Sequence, residues 1–368
     1  MQEKSQLIFN TQKTKSDYEN VKLFLNDSKG LINTIHKKYP KIWTLYKELK
    51  ALDWSEDEFN YQQCLVDFKT ANKDISDMMI ETLAWQWEAD SVVYTSPICL
   101  IAPFNRSIEV WETEATITTN ELVHANTYSE IVRMSFDKPE EVLEQILSKQ
   151  EAFKRLAKVQ NFLEDFSQLS YDYQQNKKSY DEKYIIKQLM KYYFVLLLLE
   201  RIQFMASFAI TFTICMSNLF QAIGQAVKKI AQDELEVHCE YRKEILKELK
   251  SEYPDVWESV LPEFADLFKE VVESEMTWTE HLFKDRELVG INEDLTKQWV
   301  LFNAKDVAKT VGIDKTENMY KFPVKNPIPH LEDWFNMNAQ QAAPQEQDVA
   351  AYKLNIVKRA DENMEFSF

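Results

Sequence analysis

Residues that break helices are scarce in this chain, which has only 4 Gly and 10 Pro among 368 residues. No glycine occurs between Gly30 and Gly224, and no proline occurs between Pro139 and Pro254. Folds rich in β-structure place both residue types at their many turns. Their scarcity therefore predicts an all-α protein built from long helices.

Positive charge is also in short supply, because 43 Lys and Arg oppose 60 Asp and Glu, giving a formal net charge of −17. An acidic surface repels phosphate backbones, so we expect no nucleic-acid partner.

The polar N-terminus does not resemble a secretory signal. The cysteines lack metal-binding spacing, which predicts free thiols in the reducing cytoplasm. They are Cys64, Cys99, Cys215 and Cys239.

One apolar segment, residues 192–227, is long enough to span a bilayer. Glu200 and Arg201 interrupt it, and a charged group at bilayer depth costs at least about 2.5 kcal/mol. We therefore expect a helix buried inside a bundle and no membrane partner.

The pattern along the chain predicts three divisions. Residues 1–50 are lysine-rich and weakly periodic, and this pattern predicts a surface arm with short helices. Residues 51–336 predict the helical domain, with a loop over 96–106 and one amphipathic helix over 139–170. Residues 337–368 are polar and aperiodic, which predicts a flexible tail.

Two of the five histidines follow a glutamate at helical spacing. Glu121 and His124 are three residues apart, and Glu234 and His238 are four apart. Either spacing places both side chains on the same helix face. Each pair lies in an apolar helix, where an unpaired carboxylate is costly and a metal ion would offset that cost.

Two isolated acids complete the pattern. Asp90 lies among bulky residues, and Glu200 lies in the most apolar segment. Ferritin-like two-metal proteins use one acid from each of two helices and a glutamate–histidine pair from each of two others. Such ligands suit iron or manganese. A single pair is more often a solvated helix face, and Glu200 alone could instead pair with Arg201 or a lysine.

Several longer stretches resemble the small, radical-generating subunit of class I ribonucleotide reductases. They are Leu-Ala-Trp-Gln-Trp-Glu-Ala-Asp-Ser at 83–91, Glu-Leu-Val-His-Ala-Asn-Thr-Tyr at 121–128, Glu-Arg-Ile-Gln-Phe at 200–204, Asn-Pro-Ile-Pro at 326–329, and Ala-Pro-Gln-Glu at 343–346 leading to Tyr352. The resemblance covers nearly all of the chain after the first 40 residues. It implies a ferritin-like bundle that forms a homodimer and holds two metal ions per chain. Iron in both positions is expected, with manganese–iron or dimanganese as alternatives.

Specific roles follow from this resemblance. It implies these metal ligands: Asp90, Glu121 and His124 for one ion, and Glu200, Glu234 and His238 for the other. Tyr128 matches the tyrosine that is oxidised to a stable radical, although some relatives keep the oxidising equivalent on the metals. Phe204 and Phe208 match the apolar pocket around that radical.

The family also moves the radical to a large subunit that reduces ribonucleotides. Trp54 and Asp233 match the start of the path, which runs from Trp54 through Asp233 and His124 to the metal. Tyr352 matches the relay tyrosine of the tail, and Glu346 matches an acid proposed to assist it. The final residues match the peptide that docks on the large subunit.

The chain departs from the family at one place. The family spaces its second pair as Glu-x-x-His, but here an extra residue separates Glu234 from His238. Either Glu234 binds and the helix absorbs the insertion, or Glu236 takes the ligand role. We favour Glu234 and predict a π-type or otherwise irregular turn over 233–238, because π turns absorb single insertions at functional sites.

Two other functions compete with the reductase subunit. A stand-alone di-iron oxidase or oxygenase would share the ligands but would have no need of Tyr352 or a docking terminus. A metal-storage or structural bundle would give Tyr128 and Trp54 no role. For the reductase subunit we expect a cytoplasmic location, in the host cytoplasm if the source is viral.

Overall fold

The computed structural model describes residues 14–25, 30–93, 96–105, 107–148, 150–316 and 319–336. In this part of the chain the regular structure is helical, and the one β-type pairing is an isolated bridge between Leu288 and Ile291. The predicted all-α class is confirmed. The helices are α1 Lys15–Glu19, α2 Pro40–Ala51, α3 Gln62–Thr70, α4 Lys73–Val93, α5 Ser96–Ile101, α6 Ile108–Ser135, α7 Pro139–Leu147, α8 Gln150–Gln175, α9 Glu182–Leu198, α10 Phe204–Cys215, α11 Gln221–Gln232, α12 Cys239–Glu252, α13 Pro254–Phe283, α14 Glu293–Val311 and α15 Glu332–Phe335.

Two π turns interrupt the long central helices. Leu199–Gln203 joins α9 to α10, and Asp233–His238 joins α11 to α12. Helix α4 packs against α6 and α10, while α9 packs against α12 and α13. This arrangement brings α4, α6 and both π turns together in the middle of the bundle.

Local sequence signals set several helix ends. The Asp181 side chain accepts a hydrogen bond from the backbone N–H of Tyr184 and caps α9, and Asn292 caps α14 through Leu295 in the same way. Gly312 ends α14 with φ +85°, a left-handed conformation that glycine adopts without a steric penalty.

The apolar helix that could be mistaken for a membrane span is a core element. The continuous helix Glu182–Cys215 is long and apolar enough to cross a bilayer, but 94% of its most apolar window is buried inside the protein. Every side chain from Tyr192 to Cys215 except that of Arg201 is buried, as expected for the central helix of a large bundle.

The predicted surface arm needs a correction. Within residues 1–50, Leu23 and Phe24 are buried, and the second half of this division contains α2. Ile42 and Leu45 on α2 are also buried, and the helix packs against α6. The lysines at its exposed positions masked an apolar stripe that belongs to the core.

Two other expectations differ from the structure. The predicted loop over 96–106 contains α5, whose Ile101 is buried. The single helix expected over 139–170 is two helices, α7 and α8. They bury against different surfaces: Ile146 of α7 packs with Val132 in a small separate cluster, while α8 packs on the main core.

Candidate metal centre

The six predicted ligands meet at the centre of the bundle. They come from α4, α6 and the two π turns, and none is more than 3% exposed. Their ligand atoms form two groups that share Glu121 and Glu234, each group fitting within 4.8 Å. The groups are Asp90, Glu121, His124 and Glu234, and Glu121, Glu200, Glu234 and His238.

The predicted π turn over residues 233–238 is confirmed. It absorbs the extra residue, so that Glu234 and His238 both enter the cluster. The alternative ligand, Glu236, is exposed and accepts a hydrogen bond from Gln232 at 3.3 Å. A second π turn carries Glu200, and the sequence had given no sign of it.

His124 is oriented from both sides of its ring. Nε2 lies 3.1 Å from Oδ2 of Asp233, while Nδ1 lies 3.2 Å from Oε1 of Glu234 and 3.5 Å from Oε2 of Glu121. A proton on Nε2 donated to Asp233 leaves the Nδ1 lone pair directed into the cluster. This is the usual arrangement of a metal-binding histidine and its supporting carboxylate.

Several buried atoms in the cluster have no hydrogen-bond partner among the described residues. They are both carboxylate oxygens of Asp90, both of Glu234, Oε2 of Glu121, Oε2 of Glu200, Nδ1 of His124 and both ring nitrogens of His238. Burying so many unpaired polar atoms is costly. Carboxylate oxygens and imidazole nitrogens converging in this way fit two iron or manganese ions.

The charges of the chain itself perturb these groups strongly. Burial raises the pKa of Glu200 to about 8, although the Arg242 guanidinium opposes that rise. Burial also raises the pKa of Asp90. Burial lowers the pKa of His238, but the charges and hydrogen bonds of Glu234 and Glu121 together outweigh it and bring that pKa to about 10. Divalent cations must therefore displace protons when they bind.

Tyr128 is buried beside the cluster. Its phenol donates a hydrogen bond to Oε1 of Gln86 at 3.0 Å. Burial raises the pKa of Tyr128, and the negative charge of Asp90 raises it further. Phe204 and Phe208 are buried and stacked with their centroids 5.3 Å apart, and Phe204 lines the same internal gap as Asp90.

The predicted path begins with a continuous hydrogen-bonded chain. Trp54 Nε1 donates to Oδ2 of Asp233 at 2.7 Å, and the same oxygen faces Nε2 of His124. Asn120 Nδ2 also donates to it at 2.9 Å. Asn120 was missed in the sequence, although its position four residues before His124 places both side chains on the same face of α6. Tyr352 and Glu346 lie outside the described residues.

Sequence reasoning also missed Arg242, whose guanidinium is buried between two acids. Its Nε donates to Oε1 of Glu200 at 3.1 Å, and its NH1 donates to Oε1 of Glu114 at 3.1 Å. Arg242 follows His238 by four residues and so shares its helix face. That spacing was the available signal.

A helical bundle with two overlapping carboxylate–histidine groups defines the class of two-metal carboxylate proteins. Within that class, residues 31–327 match the family model described as ribonucleotide reductase, small chain. The chain belongs to this family.

Named relatives agree with the family match. The chain is 26% identical over 366 residues to the ribonucleoside-diphosphate reductase subunit beta of Haemophilus influenzae, covering 95% of this chain and 96% of that one. It is 24% identical to the subunit beta of Enterobacteria phage T4, covering 98% of each chain.

Solved structures share the fold. The ribonucleotide reductase R2 subunit from Clostridium botulinum matches with a TM-score of 0.75 at 19% identity, covering 90% of this chain and 98% of that one. The dimanganese(II)-NrdF of Streptococcus sanguinis matches with a TM-score of 0.65 at 16% identity, covering 83% of this chain and 99% of that one.

Proposed function

We propose that this chain is the radical-generating small subunit of a ribonucleotide reductase. The observation that carries the proposal is the convergence of six buried ligand side chains on one centre in a member of this family. One ion would be held by Asp90, Glu121 and His124. The other would be held by the remaining three ligands, Glu200, Glu234 and His238.

Iron in both positions is our first choice of metal, with manganese–iron or dimanganese as the alternatives. When bound, the two ions would supply an oxidising equivalent by reducing oxygen. The chain contributes orientation and the exclusion of water, since every ligand is buried. Tyr128 would carry the radical, and Phe204 and Phe208 would shield it.

The hydrogen bonds of Asp233 support its proposed role in radical transfer. Its Oδ2 accepts from Trp54 and faces the distal nitrogen of His124, so one oxygen joins the indole to a metal ligand. We assign the transfer of the oxidising equivalent out of the core to Trp54, Asp233 and His124. Tyr352, assisted by Glu346, would continue the relay in the tail.

The partners in this proposal are a second copy of the chain and a large subunit contacted by residues 337–368. The acidic net charge argues against a nucleic-acid partner. Burial of the apolar helix and four free cysteines support a cytoplasmic role, in a host cell if the source is viral.

Reconstitution with a large subunit from the same source tests the proposal. The full-length chain, loaded with iron(II) and exposed to oxygen, should reduce cytidine diphosphate to its deoxy form with that subunit present. Removing residues 337–368 should abolish turnover while leaving the metal content unchanged. Oxygen-dependent oxidation of a small substrate by the chain alone, without reductase activity, would instead favour the stand-alone oxygenase.

A further inference from the structure

A buried arginine links the second metal position to a carboxylate outside the ligand set. Arg242 is 1% exposed. It donates through Nε to Oε1 of Glu200 at 3.1 Å, and through NH1 to Glu114 at 3.1 Å and 3.3 Å. A guanidinium has donors in a fixed planar fork, so the same side chain can fix two acids at a defined separation.

Glu114 is itself held rigidly. Its Oε1 accepts from the phenols of Tyr193 at 2.8 Å and Tyr241 at 2.9 Å, in addition to Arg242. Glu114 lies on α6, Tyr193 on α9, and Tyr241 and Arg242 on α12. Three helices therefore fix the guanidinium that reaches Glu200.

The two oxygens of Glu200 have different surroundings. Oε1 accepts from Arg242, whereas Oε2 is buried and has no partner among the described residues. A carboxylate free to rotate can offer a metal one oxygen or both. Here the hydrogen bond to Oε1 leaves Oε2 as the oxygen available to an ion.

Charge balance argues that this contact serves orientation. Asp90, Glu121, Glu200 and Glu234 supply four negative charges, which match two divalent ions. Arg242 and Glu114 form a pair with no net charge. Such a pair adds no net charge to the cluster, and the hydrogen bond from Arg242 fixes which oxygen of Glu200 is left for an ion.

We propose that Arg242 is a positioning residue that fixes Glu200 as a one-oxygen ligand of the second metal ion. The proposal rests on the function given above, and it concerns a residue outside the ligand set. Loss of a group that orients a ligand lowers metal affinity by about 10- to 100-fold.

Cobalt(II) binding to the full-length chain tests the proposal, because ligand-field absorption reports coordination as well as stoichiometry. Wild type should bind two Co²⁺ ions. Arg242→Met should bind the second ion about 10- to 100-fold more weakly, with a changed absorption band, and the first ion as in wild type. Arg201→Met is the matched control, because Arg201 lies next to Glu200 but contacts Asp306 and Asn303. It should give the wild-type titration.

Arg242→Lys separates orientation from charge. Lysine keeps the positive charge but lacks the planar fork, so the altered second-site band should persist. Full recovery of the wild-type spectrum with lysine would overturn the proposal. If Arg242→Met does not fold, judged by circular dichroism, the double variant Glu114→Gln/Arg242→Met removes both charges together and should show the same weakened second site.

The outcomes distinguish this proposal from the proposed function. A wild-type chain that binds fewer than two ions would overturn both. A wild-type chain that binds two ions, with identical affinities and spectra in a folded Arg242→Met or double variant, would overturn only the role of Arg242.

Discussion

The hydrogen bond between Tyr128 and Gln86 can be tested on this chain alone, without metal ions and without a large subunit. Both side chains are buried, and the phenol donates to Oε1 of Gln86 at 3.0 Å. Gln86→Met keeps the length of the side chain and removes the acceptor. A buried donor left without a partner costs about 1–3 kcal/mol.

The structure places the expected cost at the lower end of that range. Nε2 of Gln86 has no partner among the described residues, so the substitution also removes an unsatisfied group. We therefore expect Gln86→Met to lower the free energy of unfolding by about 1 kcal/mol. Urea denaturation of the metal-free protein measures this change.

A double-mutant cycle with Tyr128→Phe isolates the bond from effects of packing. In the Tyr128→Phe background, Gln86→Met should lower the free energy of unfolding by less than it does in wild type. The difference should equal the energy of the hydrogen bond, so the two substitutions should couple by about 1 kcal/mol. Equal costs of Gln86→Met with and without the phenol would refute the assigned contact.

Two further predictions concern the path and the metal ligands. Trp54→Phe removes the donor to Asp233 but leaves Asn120 in place to hold that acid, so metal content should be unchanged. Reductase turnover should be lost, because Trp54 is the first residue of the proposed path; turnover within about twofold of wild type would exclude the path. Metal binding should release protons at pH 7, because the pKa of Glu200 is raised to about 8 and that of His238 to about 10. Well above pH 8, where the Glu200 carboxyl is already ionised, Glu200 should no longer contribute to the proton release. Calorimetry in two buffers of different ionisation enthalpy measures the release, and equal heats would contradict it.

The two glutamate–histidine pairs were predictable because helix periodicity places residues three or four apart on one face. Glu121 and His124 needed no more than that. The extra residue before His238 also had one simple structural solution, which the π turn over Asp233–His238 provides. In these places the local spacing carried the information.

Tertiary contacts explain what the sequence did not reveal. The π turn at Leu199–Gln203 has no neighbouring histidine whose spacing could expose it. Arginine is usually exposed, so the residue type did not indicate that Arg242 lies in the core. Its burial depends on Glu114, which lies on a helix distant in sequence. Likewise, α2 has lysines on its exposed face, so its apolar contacts with α6 were visible only in the fold.

Electron paramagnetic resonance of the iron-loaded, oxygen-exposed protein tests whether Tyr128 carries a radical generated at the metal centre. We expect two iron ions per chain and a tyrosyl signal that disappears in Tyr128→Phe, while that variant still binds two iron ions. A tyrosyl signal that persists unchanged in Tyr128→Phe would contradict the assignment of the radical to Tyr128.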